Sequence, residues 1–164
     1  MDTGLAVDGL SAGYARKGLA LEDVSLVVPA RGIVALFGAN GAGKTTLIRA
    51  ATGLLDLHGG HITSGDIRLA GKSLRRLPPH QRVRLGMTQV PEGRLVFKKL
   101  TVEDNLLVGA AIVPAAQRRK GLEYVYALFP RLQERSQQAA GWLSGGNSRC
   151  WRSGAPSSGG PGCC

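Results

Sequence analysis

Gly38-Ala39-Asn40-Gly41-Ala42-Gly43-Lys44-Thr45 is the segment whose residue types and spacing most clearly carry chemistry, because it fits the pattern G-x-x-x-x-G-K-[ST]. At this chain's own glycine, lysine and Ser/Thr frequencies, such a match arises by chance with a probability of about 1 in 100. Each residue type has a physical task. Gly38, Gly41 and Gly43 let the backbone pass close to phosphate oxygens and turn its N–H groups toward them. A helix that begins at Lys44 adds the partial positive charge of its N-terminus. Lys44 then reaches the β- and γ-phosphates of a nucleotide, and the Thr45 hydroxyl ligates Mg2+. The competing reading, a flexible glycine-rich turn with an exposed lysine, is disfavoured by the same chance estimate.

Such a loop needs a strand to deliver it and a helix to receive it. Ile33-Val34-Ala35-Leu36-Phe37 is a short uninterrupted apolar run, the pattern expected of a central strand buried on both faces. A helical run from Lys44 to about Gly53 follows. Ahead of them, Leu5–Leu10 and Leu21–Val28 read as strands joined through the turn-like Ala15-Arg16-Lys17-Gly18. Gly65–Leu69 and Met87–Val90 are further strand candidates. Pro78-Pro79 opens a helix carrying Gln81 to Leu85. Thr101-Val102-Glu103-Asp104 has the form of a capping box. Gly121 to Phe129 reads as a helix with Leu122, Val125 and Leu128-Phe129 on one face. Apolar runs punctuated by Gly and Pro through residue 146 are the mark of an α/β chain.

Composition bounds the rest. The 164 residues leave room for one domain, and 43% hydrophobic with 20% charged residues excludes wholesale disorder. The longest uncharged apolar run, Leu106–Ala116, is too short to span a bilayer, and Met1-Asp2-Thr3-Gly4 does not open like a secretory leader. The net charge is +10, from 21 Lys and Arg against 11 Asp and Glu. That balance suits a nucleic acid, phosphate ligands or an anionic membrane face. His58 and His61 have no second metal-type ligand nearby and read as surface loop residues.

Leu143-Ser144-Gly145-Gly146, placed after the phosphate loop, resembles the signature of ATP-binding-cassette (ABC) ATPases. Other segments fall into that family's order. Tyr14 matches the aromatic that stacks on adenine, although by itself it is an ordinary strand-end tyrosine. Val90-Pro91-Glu92-Gly93-Arg94, followed by Leu100 to Leu106, resembles the segment that joins the ATPase core to the helical subdomain. Most of the family has glutamine after Val-Pro, touching Mg2+ and the attacking water; here Glu92 stands there, and Gln89 comes three positions too early. Val-Pro-Glu-Gly-Arg, the loop from Ile33 to Leu47 and Leu128-Phe129-Pro130-Arg131-Leu132 resemble ATPase subunits of branched-chain amino acid importers. Urea-type importer ATPases are close relatives in which glutamine is expected.

The resemblance implies a P-loop NTPase of the ABC type: an α/β core, an antiparallel β subdomain and the start of a helical subdomain, covering residues 1–146. It implies ATP and Mg2+ as cofactors, with Tyr14, Gly38, Asn40, Gly41, Gly43, Lys44, Thr45 and Thr46 holding the nucleotide and Glu92 as a further Mg2+ contact. It implies a head-to-tail pair in which Ser144, Gly145 and Gly146 complete the partner's ATP site. The remaining partners would be transmembrane permease subunits, coupled through residues near Glu92 to Asn105, at the cytoplasmic face of the inner membrane.

Residues 147–164 have another character. All three cysteines, Cys150, Cys163 and Cys164, lie at or beyond residue 150, no Leu, Ile, Val, Phe or Met occurs there, and the segment reads as a disordered tail outside the family pattern. No acidic residue follows Glu134, and all three histidines precede the signature, so the family's Mg2+-site Asp, catalytic Glu and switch His have no counterparts. A Cys codon followed by a Trp or Cys codon always spells Leu one base earlier, as at Cys150-Trp151 and Cys163-Cys164. With suitable codons the neighbouring frame spells Glu-Gln-Gln-Met-Leu-Ala-Ile-Gly-Arg-Ala-Leu, a fit to a signature helix. The expectation is a single-base frameshift near Gly146, and with it an incomplete domain of weak or no ATP hydrolysis. The alternatives are a non-hydrolysing nucleotide-binding remnant and a basic nucleic-acid binder. Against the binder, Arg75-Arg76, Arg82, Arg84 and Arg118-Arg119-Lys120 are scattered, read as solvated faces, and have few interleaved aromatics.

Overall fold

A β-hairpin starts the structure, a computed structural model that describes residues 3–15, 18–93 and 95–143. Thr3–Tyr14 (β1) pairs antiparallel with Gly18–Pro29 (β2) and, along its other edge, with Gly60–Leu69 (β3); Lys72–Ser73 (β4) closes the order β2-β1-β3-β4. Strict alternation would send Val7 and Tyr14 to opposite faces of this sheet. A bulge prevents that. Three residue steps of β1, from Val7 to Leu10, face two of β2, from Leu26 to Val24. Gly9 takes φ +55° there, a conformation open to glycine. The ladder donors displaced by the irregularities find hydroxyls instead: the Gly9 N–H donates to Ser25 Oγ at 2.9 Å, and the Asp23 N–H to Ser11 Oγ at 3.0 Å. After the bulge Leu10, Ala12 and Tyr14 share the inner face with Val7.

Helix α1 (Lys44–Thr52) packs on that face. It buries Thr46, Leu47, Ala50 and Ala51, the i, i+3/i+4 spacing of an amphipathic helix. Leu47, Ala50 and Ala51 join Val7, Leu10, Ala12, Leu21, Leu55, Ile67 and Leu74 in one core. Each fully buried aliphatic side chain there contributes about 1.5–3 kcal/mol. Gly53 ends α1 at φ +77°. Helix α2 (Pro79–Arg84) begins at the expected prolines, with Pro78 as its N-cap residue.

Two strand expectations are overturned. Ile33–Phe37 is not a strand, and Ile33 and Phe37 are 92% and 89% exposed. An all-apolar strand is stable only with ladders on both edges and cover on both faces, and among the described residues none pairs with this run. Met87–Val90 is likewise irregular, with Val90 exposed.

The chain divides after Thr88 into two units. The second contains α3 (Val102–Gly109), α4 (Ala115–Leu128) and α5 (Pro130–Glu134). Its core is Val102, Leu106, Val125, Leu132, Ala140 and Leu143, with Val96, Leu122, Tyr126 and Phe129 against it. Helix α4 starts at Ala115, earlier than the expected Gly121, and Leu128 is 52% exposed, so only Leu122, Val125 and Phe129 of the expected face pack inward. The turn at 136–138, a single bridge between Ala139 and Thr101 and the 3-10 turn Ala140–Trp142 fasten the start of α3. The N–H groups of Val102 and Glu103 donate to the carbonyls of Gln138 and Ser136, and that of Ala140 donates to Leu100 O.

Candidate phosphate-binding site

The first unit holds the loop from Gly38 to Lys44 at the mouth of α1. Gly41 and Gly43 adopt φ +88° and +84°, the left-handed region that favours glycine. Gly43 is needed for a second reason. A Cβ there would lie 2.5 Å from Ala20 O and 2.7 Å from Leu21 Cδ2, so the loop docks on β2 only through a residue without a side chain. The Ala42 N–H donates to Ala39 O at 3.2 Å, tightening the turn, and Asn40 is exposed within it.

Gly43 offers the helix no side-chain cap, and no acid lies in the first turn of α1. The opening N–H groups of the helix therefore keep their positive end uncompensated. Lys44 Nζ donates to the carbonyls of Gly38 and Ala39, both at 2.6 Å, and so stands over the loop. A phosphate oxygen is a stronger acceptor than either carbonyl. Thr45 is exposed beside it, its hydroxyl available to a cation. Thr46 is 6% exposed, buried with Leu47, so it offers the loop its backbone N–H. This donor set fits a phosphate chain with its Mg2+: Gly41, Gly43, Lys44, Thr45 and Thr46 would hold it.

Tyr14 ends β1, half-buried against the core, and accepts a hydrogen bond from Arg49 Nη1 at 3.2 Å. Arg49 was not singled out by the sequence. Arg82 corrects a sequence expectation outright. It is 4% exposed rather than part of a solvated basic face. Its Nη1 donates to Ala50 O and Ala51 O, both at 2.7 Å, and its Nε to Leu77 O at 2.8 Å. It thereby caps C-terminal carbonyls of α1 from another helix, adding to the Gly53 N–H that donates to Ala50 O at 3.3 Å. Burial pushes the Arg82 pKa down, partly opposed by the charge of Asp56.

Glu92 belongs to the second unit, exposed in a bend beside Gly93 at φ +78°. In that unit Asn105 ties down the preceding loop. Its Oδ1 accepts from the Phe97 N–H at 2.9 Å, and its Nδ2 donates to Thr101 O at 2.8 Å. The expected signature residues Ser144, Gly145 and Gly146 lie outside the described residues, as do Arg94 and the tail. His58 and His61 are exposed, as expected. Among the described residues no group of three or more His, Cys, Asp and Glu converges, and no helix is long and apolar enough to cross a membrane.

Comparison with known proteins places these features in context. The ABC transporter family model matches residues 21–152. The chain is 42% identical over 145 residues to the high-affinity branched-chain amino acid transport ATP-binding protein BraG of Pseudomonas aeruginosa, covering 88% of this chain and 60% of that one. It is 36% identical over 137 residues to the probable branched-chain amino acid transport ATP-binding protein LivF of Archaeoglobus fulgidus, covering 84% and 56%. It is also 39% identical over 124 residues to the molybdenum import ATP-binding protein ModC 2 of Azotobacter vinelandii, covering 76% and 33%. The structure matches a solved ATP-binding subunit of an ABC transporter with a TM-score of 0.76 at 29% identity, over 92% of this chain and 60% of that one. The chain thus spans about three-fifths of the length of the first two relatives.

Proposed function

The chain belongs to the ABC transporter family, and from that premise we propose that it is an ATP-binding subunit energising the import of branched-chain amino acids. The observation that carries the nucleotide reading is the mouth of α1: an uncapped first turn, Gly43 seated on β2, and Lys44 Nζ standing over the loop. ATP with Mg2+ is the ligand, Lys44 and the loop amides its phosphate contacts, Thr45 its cation contact, and Tyr14 its base platform. Ser144, Gly145 and Gly146 serve the site of a second subunit. Permease subunits are the other partners, at the cytoplasmic membrane face. The subgroup rests on Val90-Pro91-Glu92-Gly93-Arg94 and on the branched-chain importer names of two relatives; ModC 2 is the rival by likeness.

A second reading, nucleotide binding without turnover, is favoured by one observation. Ile33–Phe37, which leads into the phosphate loop, is exposed and pairs with no strand among the described residues, so no ladder there stiffens the approach to Gly38.

Titration of the chain with magnesium ATP tests the first step. Lys44→Ala is expected to weaken binding about 10- to 100-fold, the worth of one or two charged hydrogen bonds, with the thermal midpoint unmoved. Equal affinity in both proteins overturns the site. A phosphate-release assay separates the two readings. Restored leucine uptake in cells lacking their own importer ATPase supports the amino acid subgroup, and restored molybdate uptake contradicts it.

A further inference from the structure

Two ties join helix α1 to the hairpin beneath it. One is the contact of Gly43 with Ala20 and Leu21 of β2, at the end of the helix that carries the phosphate loop. The other lies near the opposite end, where Arg49 Nη1 donates to the Tyr14 hydroxyl at 3.2 Å. Arg49 follows Thr45 by one helical turn, so the two share a face of α1. Tyr14 reaches this position only because the Gly9 bulge turns the last residues of β1 inward. A tyrosine hydroxyl held by a helix restrains the tilt of its ring.

We propose that Arg49 is a positioning residue for base recognition: through the Tyr14 hydroxyl it fixes the aromatic platform relative to the phosphate loop, at the span that a nucleoside triphosphate requires. The inference rests on the nucleotide reading above. Arg49 touches no part of the nucleotide. Its effect is to remove, before the ligand arrives, the side-chain freedom that stacking would otherwise cost.

The test compares ligands with and without a base. The full chain and its Arg49→Met, Arg49→Lys and Tyr14→Phe variants are titrated by calorimetry with magnesium ATP and, separately, with magnesium tripolyphosphate. Tyr14→Phe keeps the ring and removes the hydroxyl that accepts from Arg49. Arg49→Met and Tyr14→Phe are each expected to weaken ATP binding about three- to tenfold, the factor for one immobilised side chain, and to leave tripolyphosphate binding unchanged. The double variant should be no weaker than either single one, because both break the same bond. Arg49→Lys, which keeps a donor and a charge, should recover part of the loss. Additive losses overturn the proposal, and so does an equal loss for both ligands, which would mean that Arg49 acts on the helix or on phosphate. Unchanged ATP affinity in Arg49→Met overturns it as well. If the unmodified chain binds neither ligand, the nucleotide reading itself falls, and this proposal with it. If it binds tripolyphosphate as tightly as ATP, only the base platform, and so this proposal, falls.

Discussion

Helices α1 and α3 begin in opposite ways. Helix α3 closes its own N-terminus: the Thr101 hydroxyl accepts from the Asp104 N–H at 3.0 Å, Asp104 accepts in return, and Glu103 adds a second negative charge to the first turn. Helix α1 begins at a bare glycine with no cap and no acid. Both N-termini present the same dipole. One compensates it with side chains that the chain carries; the other leaves it for an anion from outside. Their far ends are alike in kind and differ in degree. Arg82 caps the carbonyls of α1 from inside the core, while Arg118, half-buried, donates to Val113 O and Ala111 O beyond the end of α3. The lesson is that α1 is anchored where it is buried and left open where it is exposed.

The largest expected effect tests the anchors. Arg82→Met takes the side-chain donor from the carbonyls of Ala51 and Leu77, leaves Ala50 O with only the Gly53 N–H, and should cost about 3 kcal/mol; Arg118→Met, at a wetter site, should cost about 1 kcal/mol. Urea unfolding by circular dichroism, with hydrogen exchange of the α1 and α3 amides, measures both. Equal losses would erase the contrast between the two ends.

Next comes a transplant of the acid. Thr45→Glu gives α1 the first-turn carboxylate that α3 has. Magnesium ATP affinity is expected to fall about 10- to 100-fold, while helix stability rises by about 0.3–1 kcal/mol. Isothermal titration beside thermal melting reads both signs at once.

The reverse experiment is smaller. Thr101→Ala opens α3 and should cost about 1 kcal/mol of stability, with no change in nucleotide affinity. Any weakening of ATP binding would show that the open terminus is not special to α1.

The finest test concerns pH. Burial, and then Glu103, raise the Tyr126 pKa to about 12. The folded form thus holds its phenol proton after the unfolded chain, near pH 10, has lost it. That contribution is complete below about pH 10 and drains away as pH climbs through about 12. In urea midpoints at pH 9 and pH 11, Tyr126→Phe should show a shallower decline than the unmodified chain.

Much of this was legible in the sequence, and the boundary is physical. The phosphate loop, the capping box at Thr101, the prolines opening α2 and the first two strands are local signals, fixed by turn chemistry and capping within a few residues. The family pattern added Tyr14, whose inward placement depends on the Gly9 bulge, a feature no periodicity announces. Arg82 was misread because its neighbour Arg84, exposed on the same short helix, carries the same chemistry; only the long-range approach of α1 tells them apart. Ile33–Phe37 was misread for the converse reason. Its composition speaks for a strand, but strandhood depends on partners that composition does not contain. For Ser144, Gly145 and Gly146 only the sequence speaks.

The run Ile33–Phe37 also sets how the protein must be handled. Five consecutive uncharged residues, most of them β-branched or aromatic or leucine, lie outside any strand among the described residues and open to solvent. Such a run is a template on which a second copy can add its own backbone, strand upon strand. Self-association should therefore rise with protein concentration while the fold is still intact, and a lysine at Val34 would act as a gatekeeper against it.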